Sequence, residues 1–138
     1  MPGASFADHF SKISQLFVPE ATASLIRLRR AAQRVPTDIG PLEALCLELQ
    51  RRGAADEALQ RAREFLERTG EAHLERLGEI FRQLQALDLA EQCWARLHEL
   101  QPESVPALCG LGVVHALRGE TERARQELER AALLEPEN

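Results

Sequence analysis

A chain of 138 residues, 44% hydrophobic and 28% charged, is long enough to bury one core and too apolar to stay disordered. Its net charge of −5 argues against sequence-independent binding to nucleic acid, and no apolar run approaches the ~20 residues that span a bilayer membrane. Cys46, Cys93 and Cys109 are odd in number, far apart and free of any CxxC pair, which excludes a disulfide framework and a zinc site by spacing. Buried thiols in a reducing cytoplasm are expected instead. The first residues, Met1 to Ser5, lack the basic start and apolar run of a secretory signal. Ala, Leu, Glu, Arg and Gln dominate and Tyr is absent, so the expected class is all-α. Lys12 is the only lysine, an arginine bias that points to a GC-rich, bacterial source.

Residues 1–38 read as an N-terminal helical pair. Phe6, Phe10, Ile13 and Phe17 form an apolar stripe at helical spacing, and Val18-Pro19 breaks it. A second helix is predicted near residues 21–34, with Leu25, Leu28, Ala32 and Val35 roughly on one face. Arg27, Arg29, Arg30 and Arg34 read as its solvated side. Residues 39–70 place Leu42, Leu45, Cys46 and Leu49, then Gly53, then Ala58, Ala62 and Phe65, and close at Gly70. Residues 71–104 place Leu74, Leu77, Gly78 and Phe81, then Gln85, then Ala90, Trp94 and Leu97, and close at Pro102. Asp88 with Glu91 three residues on reads as a variant capping box. Residues 105–138 place Leu108, Leu111, Gly112 and His115, then Gly119, then Ala124, Leu128 and Ala131, and close at Pro136.

Each place has a physical reason. Leu108 and Leu111 share one face of a first helix. Gly112 admits a second helix closely, which offsets the ~1 kcal/mol that glycine costs inside a helix. Gly119 suits the positive backbone angle at a helix end, and Pro136 stops the second helix. The pattern in residues 105–138 closely resembles a tetratricopeptide repeat. Residues 71–104 resemble it with Gln85 in place of glycine and Leu97 in place of alanine. Residues 39–70 do so two residues short and with Gly70 in place of proline. In residues 1–38, Ser24, Leu28, Ala31 and Pro36 fall where the family's second-helix residues fall, so this pair is a degenerate repeat or a cap, with the cap favoured.

The resemblance implies a right-handed α-solenoid of stacked helix pairs, three clear repeats preceded by the N-terminal pair. It further implies a concave groove lined by the first helix of each pair, which in the family receives an extended peptide or a helix of a protein partner. The matching places are Gly40, Glu43, Leu47, Gln50 and Arg51, then Ala72, Glu75, Glu79, Arg82 and Gln83, then Pro106, Cys109, Val113, Ala116 and Leu117. Glu43 and Leu47 stand where some members carry the lysine and asparagine that clamp a C-terminal carboxylate, so that clamp is not expected. The expected ligand has an apolar segment flanked by basic residues that meet Glu43, Glu75 and Glu79.

No catalytic, cofactor or metal site is expected. Gly110 and Gly112 form a lone GxG with no strand before it, and His115 falls where a third glycine would stand. Cys109 and His115 are six apart on one helix, about 600° of rotation, so they face apart; His115 reads as core filler. Cys93 and His98 are five apart with no third ligand nearby. Trp94 reads as core, and His9 and His73 as surface histidines. The reading is a non-enzymatic, cytoplasmic bacterial adaptor, with architectural likeness to small secretion chaperones. Two others stand beside it. The chain is the N-terminal repeat region of a larger enzyme such as a sulfotransferase or hydroxylase, or it forms a homo-oligomer through an uncapped last repeat.

Overall fold

The computed structural model describes residues 20–135. The Phe6, Phe10, Ile13 and Phe17 stripe, the Val18-Pro19 break, His9 and Pro136 lie outside them. Seven helices run through the described residues: α1 (Glu20–Arg34), α2 (Ile39–Arg51), α3 (Ala55–Thr69), α4 (Leu74–Gln83), α5 (Leu87–Leu100), α6 (Val105–Leu117) and α7 (Thr121–Leu134). Three antiparallel pairs, α2/α3, α4/α5 and α6/α7, stack in chain order, and α2, α4 and α6 lie side by side. The fold is an all-α solenoid, as the repeat pattern implies.

Two of the first helices of the pairs begin at side-chain caps. The Asp38 carboxylate accepts from the Gly40 N–H at 3.1 Å, and the Ser104 hydroxyl from the Ala107 N–H at 3.2 Å. Asp88 does not cap: α5 begins one residue earlier, at Leu87, after Ala86, which offers no side-chain acceptor. Asp88 instead turns outward to pair with Arg118, which caps the end of α6. His73, read as a surface histidine, is partly covered. It precedes Leu74, is half-buried, and its ring lies 5.4 Å from that of Phe65.

The core forms where helices meet at small residues. Ala58 and Ala62 of α3, Ala90 of α5 and Ala107 of α6 are fully buried, so backbones approach closely and Leu45, Leu49, Leu77 and Phe81 fill the space between. Leu25, Leu28 and Ala32 of α1 pack on the same core, and α1 lies against α2. Arg29 of α1 makes a two-pronged hydrogen-bonded pair with Glu57 of α3, at 2.6 and 3.0 Å. The guanidinium of Arg29 holds the Glu57 carboxyl below the ordinary carboxylate range.

The turn after each first helix has the same backbone form. Gly53 and Gly119 adopt φ of 77° and 81°, and Gln85 adopts 62° at the equivalent turn. A side chain in that left-handed region costs ~1–2 kcal/mol, whereas glycine does not incur it. Glycine also raises the entropy of the unfolded chain by a worth of ~0.4–1 kcal/mol, which acts in the opposite direction. Gln85→Gly is therefore expected to stabilise the protein by about 0.5–1 kcal/mol, read as a higher urea midpoint at unchanged slope. A lower midpoint would show that the Gln85 side chain contributes more than its backbone costs.

Candidate functional site

The three first helices enclose a hollow of about 1070 Å³ on the concave side. Its wall takes Glu43, Leu47 and Gln50 from α2, Glu75, Glu79 and Arg82 from α4, and Cys109 and Val113 from α6. The three-to-four-residue spacing within each helix keeps these side chains on one face. Gly40, Gln83 and Pro106 line it too. Arg51, Ala116 and Leu117, named from the repeat register, are exposed outside the wall, and Ala72 lies in the turn before α4. Sequence reasoning did not single out Arg76, Ile80, Leu84 or Trp94 as lining residues, although all four reach the hollow. A register of surface positions does not reveal buried side chains such as Ile80 and Trp94 that meet the hollow from the core.

Apolar surface stands at both ends of the hollow. Leu47 is 53% exposed and Val113 37% exposed. Between them α4 presents charge. Arg76 of α4 pairs with Glu43 across the α2–α4 boundary. Arg82 donates to Glu79, with Nε at 3.0 Å, and holds that carboxyl below the ordinary range. Gln50 Nε2 donates to the Gln83 carbonyl at 2.6 Å and ties the ends of α2 and α4 together. Glu43 and Glu79 therefore face the hollow already neutralised. Among the described residues Glu75 has no ion-pair partner.

Trp94 supports the floor from α5 and is only 4% exposed. Its indole occupies a slot between two glycines. A Cβ built on Gly78 of α4 would stand 2.5 Å from Cε2, and one on Gly110 of α6 would stand 2.3 Å from Cδ2 and Cε2. These are well inside contact distance, so the ring is seated against bare backbone on both sides. The lone GxG has a packing reason at both glycines: Gly110 admits Trp94, and Gly112 admits Leu128 of α7. The indole Nε1 has no hydrogen-bond acceptor among the described residues.

Cys109 and His115 point apart on α6. Cys109 meets the hollow, whereas His115 is fully buried on the opposite side. The His115 Nδ1 lies 2.6 Å from Oε2 of Glu127 on α7, and Nε2 lies 3.2 Å from Oε1 of Glu91 on α5. Arg118 closes the network by pairing with Glu91 and Asp88. A register that marks this place as core filler does not reveal the carboxylates, which come from two other helices.

Burial pushes the thiols of Cys46 and Cys93 up to about 11, and both are buried. Cys109 is half-buried in the wall of the hollow. A thiol reagent applied to the native protein at pH 8 is expected to modify Cys109 at least tenfold faster than the other two, since ionisation and access both limit the reaction. Mass spectrometry after timed quenching reads the order, and equal rates at all three cysteines would contradict the assigned burial.

Among the described residues no group of three or more His, Cys, Asp or Glu side chains is placed to hold a metal ion, and no helix is long and apolar enough to cross a membrane. No protein-family model and no curated protein sequence matches the chain. Solved structures do match in shape. A tetratricopeptide repeat protein from Parabacteroides merdae superposes over 86% of this chain with a TM-score of 0.68 and 22% identity. The chain spans 47% of that protein's length. A solved chain of MamA from Desulfovibrio magneticus RS-1, running from residue 41 to its end, matches 98% of this chain over 78% of its own length, with a TM-score of 0.63 and 20% identity. A thermophilic tetratricopeptide-repeat protein of Thermus thermophilus covers 90%, with 71% of its own length matched, at a TM-score of 0.60 and 22% identity. Helix pairing, turn geometry and these superpositions agree: the chain has the fold of the tetratricopeptide-repeat solenoids.

Proposed function

We propose that this protein is a non-enzymatic interaction scaffold that holds a segment of a partner protein in its concave hollow. The observation that carries the reading is the hollow itself, about 1070 Å³ and lined from three consecutive first helices. Leu47 and Val113 keep much of their apolar surface exposed there, while α3, α5 and α7 pack against α2, α4 and α6 as their paired helices. Exposed apolar surface gathered in a concavity is the usual mark of a binding site. Three free cysteines fit a reducing compartment, and with the arginine bias they support a bacterial, cytoplasmic adaptor or chaperone-like role.

The test is capture of partner proteins by the native chain beside a Leu47→Glu, Val113→Arg variant whose helical circular dichroism and melting are shown to be unchanged. A protein retained by the native chain and reduced at least tenfold on the variant supports the reading. Equal retention by the native chain and the variant sends the interaction elsewhere on the molecule. Self-assembly is the second reading, and α7 favours it, because Leu128, Leu133 and Leu134 are all exposed on that helix. Light scattering separates the two: a monomer at high concentration removes self-assembly.

A further inference from the structure

We infer that the buried His115 ring carries a hydrogen on both nitrogens in the folded chain, and that this imidazolium is a proton latch fastening α6 to α5 and α7. Its two contacts require the second hydrogen. Nδ1 lies 2.6 Å from a carboxylate oxygen of Glu127 on α7, and Nε2 lies 3.2 Å from one of Glu91 on α5. An ionised carboxylate only accepts hydrogen bonds, whereas a neutral imidazole donates from one nitrogen and holds a lone pair on the other. A neutral ring would turn that lone pair on one of the two carboxylates. The imidazolium donates to both, and each bond is then charge-assisted. The surroundings favour the charge as well. Glu91 and Asp88 come from α5, Arg118 from the end of α6, and Glu120, Arg123 and Glu127 from the start and first turns of α7. Four carboxylates thus stand against two guanidiniums, and the imidazolium supplies a third cation. The ring also lies in the last turn of α6, where the helix dipole favours positive charge. Full burial opposes a charge, but each N–H is met by a carboxylate, the condition under which a buried ion is tolerated.

Loss of the proton leaves one donor for two acceptors. The shorter contact, to Glu127, lies within the α6/α7 pair, whereas the Glu91 contact crosses from the second pair to the third. The neutral ring keeps its hydrogen toward Glu127 and turns a lone pair on Glu91, so the seam between α5 and α6 is the one that loosens. Because the bound proton holds this seam, the stabilisation is present at neutral pH and is lost as pH rises. Trp94 lies in the same seam, wedged against Gly110. Helix α6 also carries Cys109 and Val113 of the hollow wall, so release of the latch shifts one side of the hollow. The bearing of that shift on partner binding rests on the groove reading; the latch itself does not.

Nitrogen-15 NMR of the full chain with labelled histidine at pH 7.5 tests the first step. A histidine free in water is about nine-tenths neutral at that pH. His115, assigned by the loss of its signals in His115→Phe, is expected to show both nitrogens at the imidazolium position. Glu127→Gln can offer an amide N–H to Nδ1, which removes the need for the second hydrogen, and is expected to convert the ring to the neutral form protonated on Nε2. A bare nitrogen on His115 in the native chain, whether the proton is absent or resides on Glu127, overturns the inference. An imidazolium that persists in Glu127→Gln overturns the two-carboxylate latch. Trp94 fluorescence tests the second step. It is the single tryptophan and the chain has no tyrosine, so an alkaline titration is free of tyrosinate. At unchanged helical circular dichroism, the emission maximum is expected to shift over the pH interval in which the His115 nitrogens lose their proton, and His115→Phe is expected to abolish the shift. An emission that stays fixed through that interval, or moves equally in His115→Phe, overturns the release of the seam. A chain that unfolds as a whole before or as the ring titrates overturns a switch confined to one seam. Capture with the Leu47→Glu, Val113→Arg variant tests the groove reading separately, so either can fail alone.

Discussion

Gly110→Ala is expected to lower the stability of this protein by about 1–3 kcal/mol, the range for forcing extra volume into a packed core. The sign is informative because the same exchange on an open helix raises stability by up to ~1 kcal/mol. Here the new methyl would stand 2.3 Å from the Cδ2 and Cε2 atoms where the two indole rings fuse. Those atoms belong to a rigid bicycle that is 4% exposed and backed by Gly78 on its other side, so the ring has nowhere to retreat. Gly78→Ala is expected to act in the same direction. Trp94→Leu in the Gly110→Ala background removes the clash, so the double substitution costs less than the sum of its parts. Urea unfolding followed by circular dichroism measures all of these. A Gly110→Ala protein as stable as the parent would show that Trp94 does not occupy the slot.

Gly112 provides the contrast. A methyl there meets the Cγ and Cδ2 atoms of Leu128 at 2.8 Å, the far end of a flexible and exposed side chain. Leu128 can rotate away, so the helix-propensity gain competes on equal terms. The sequence marked Gly112 as the packing glycine and left Gly110 without a role. Repeat register identifies which positions are small in most units. It cannot show that this particular unit has an indole pressing from the preceding helix pair.

How far the sequence was legible follows from the range of the forces involved. The helix pairs were readable because Leu42, Leu45, Leu77, Phe81, Leu108 and Leu111 repeat at helical spacing, and periodicity is a local property. The Gln85 turn was flagged as a departure from glycine, and its φ of 62° shows that the backbone kept the family's form while the residue changed. Most of the wall residues read from the register do meet at the hollow. Arg51, Ala116 and Leu117 do not; they are exposed at the C-terminal ends of α2 and α6, outside the wall. Charge pairing between helices was not legible. Glu43 and Glu79 read as free acids facing a ligand, yet Arg82 pairs with Glu79 one turn along α4, and Arg76 pairs with Glu43 once α2 and α4 lie side by side. Asp88 likewise read as a cap by its spacing to Glu91, and both instead reach Arg118 at the end of α6.

Removing the His115 side chain is expected to be the most damaging change away from the tryptophan slot. His115→Ala leaves a cavity in a fully buried position and strips Glu127 and Glu91 of a shared partner, so a loss of about 2–4 kcal/mol is expected. His115→Phe fills the space and removes only the polar contacts, which sets its cost lower, at about 1–2 kcal/mol. The pH dependence isolates the ionic part. Burial pushes the Glu91 carboxyl up, but the hydrogen bond from His115 and the nearby Arg118 and His115 charges outweigh it and hold the group below the ordinary carboxylate range. The folded chain therefore releases this proton more readily than the unfolded chain. Its stabilisation is complete above the unfolded value of ~4.3 and is lost as pH falls through the lower folded value. Native stability should hold between pH 7 and 5.5 and decline below about 4.5. Glu91→Gln should start lower at pH 7 and lose less between pH 5.5 and 3, because it has no proton to take up. Urea unfolding at these pH values reads both slopes, and parallel curves would mean that Glu91 contributes nothing through its charge. The consequence reaches the hollow, because α5 and α6 meet through this network on one side and through Trp94 and Gly110 on the other. A chain that loosens at Glu91 loses the packing that sets α6, with Cys109 and Val113, against α4.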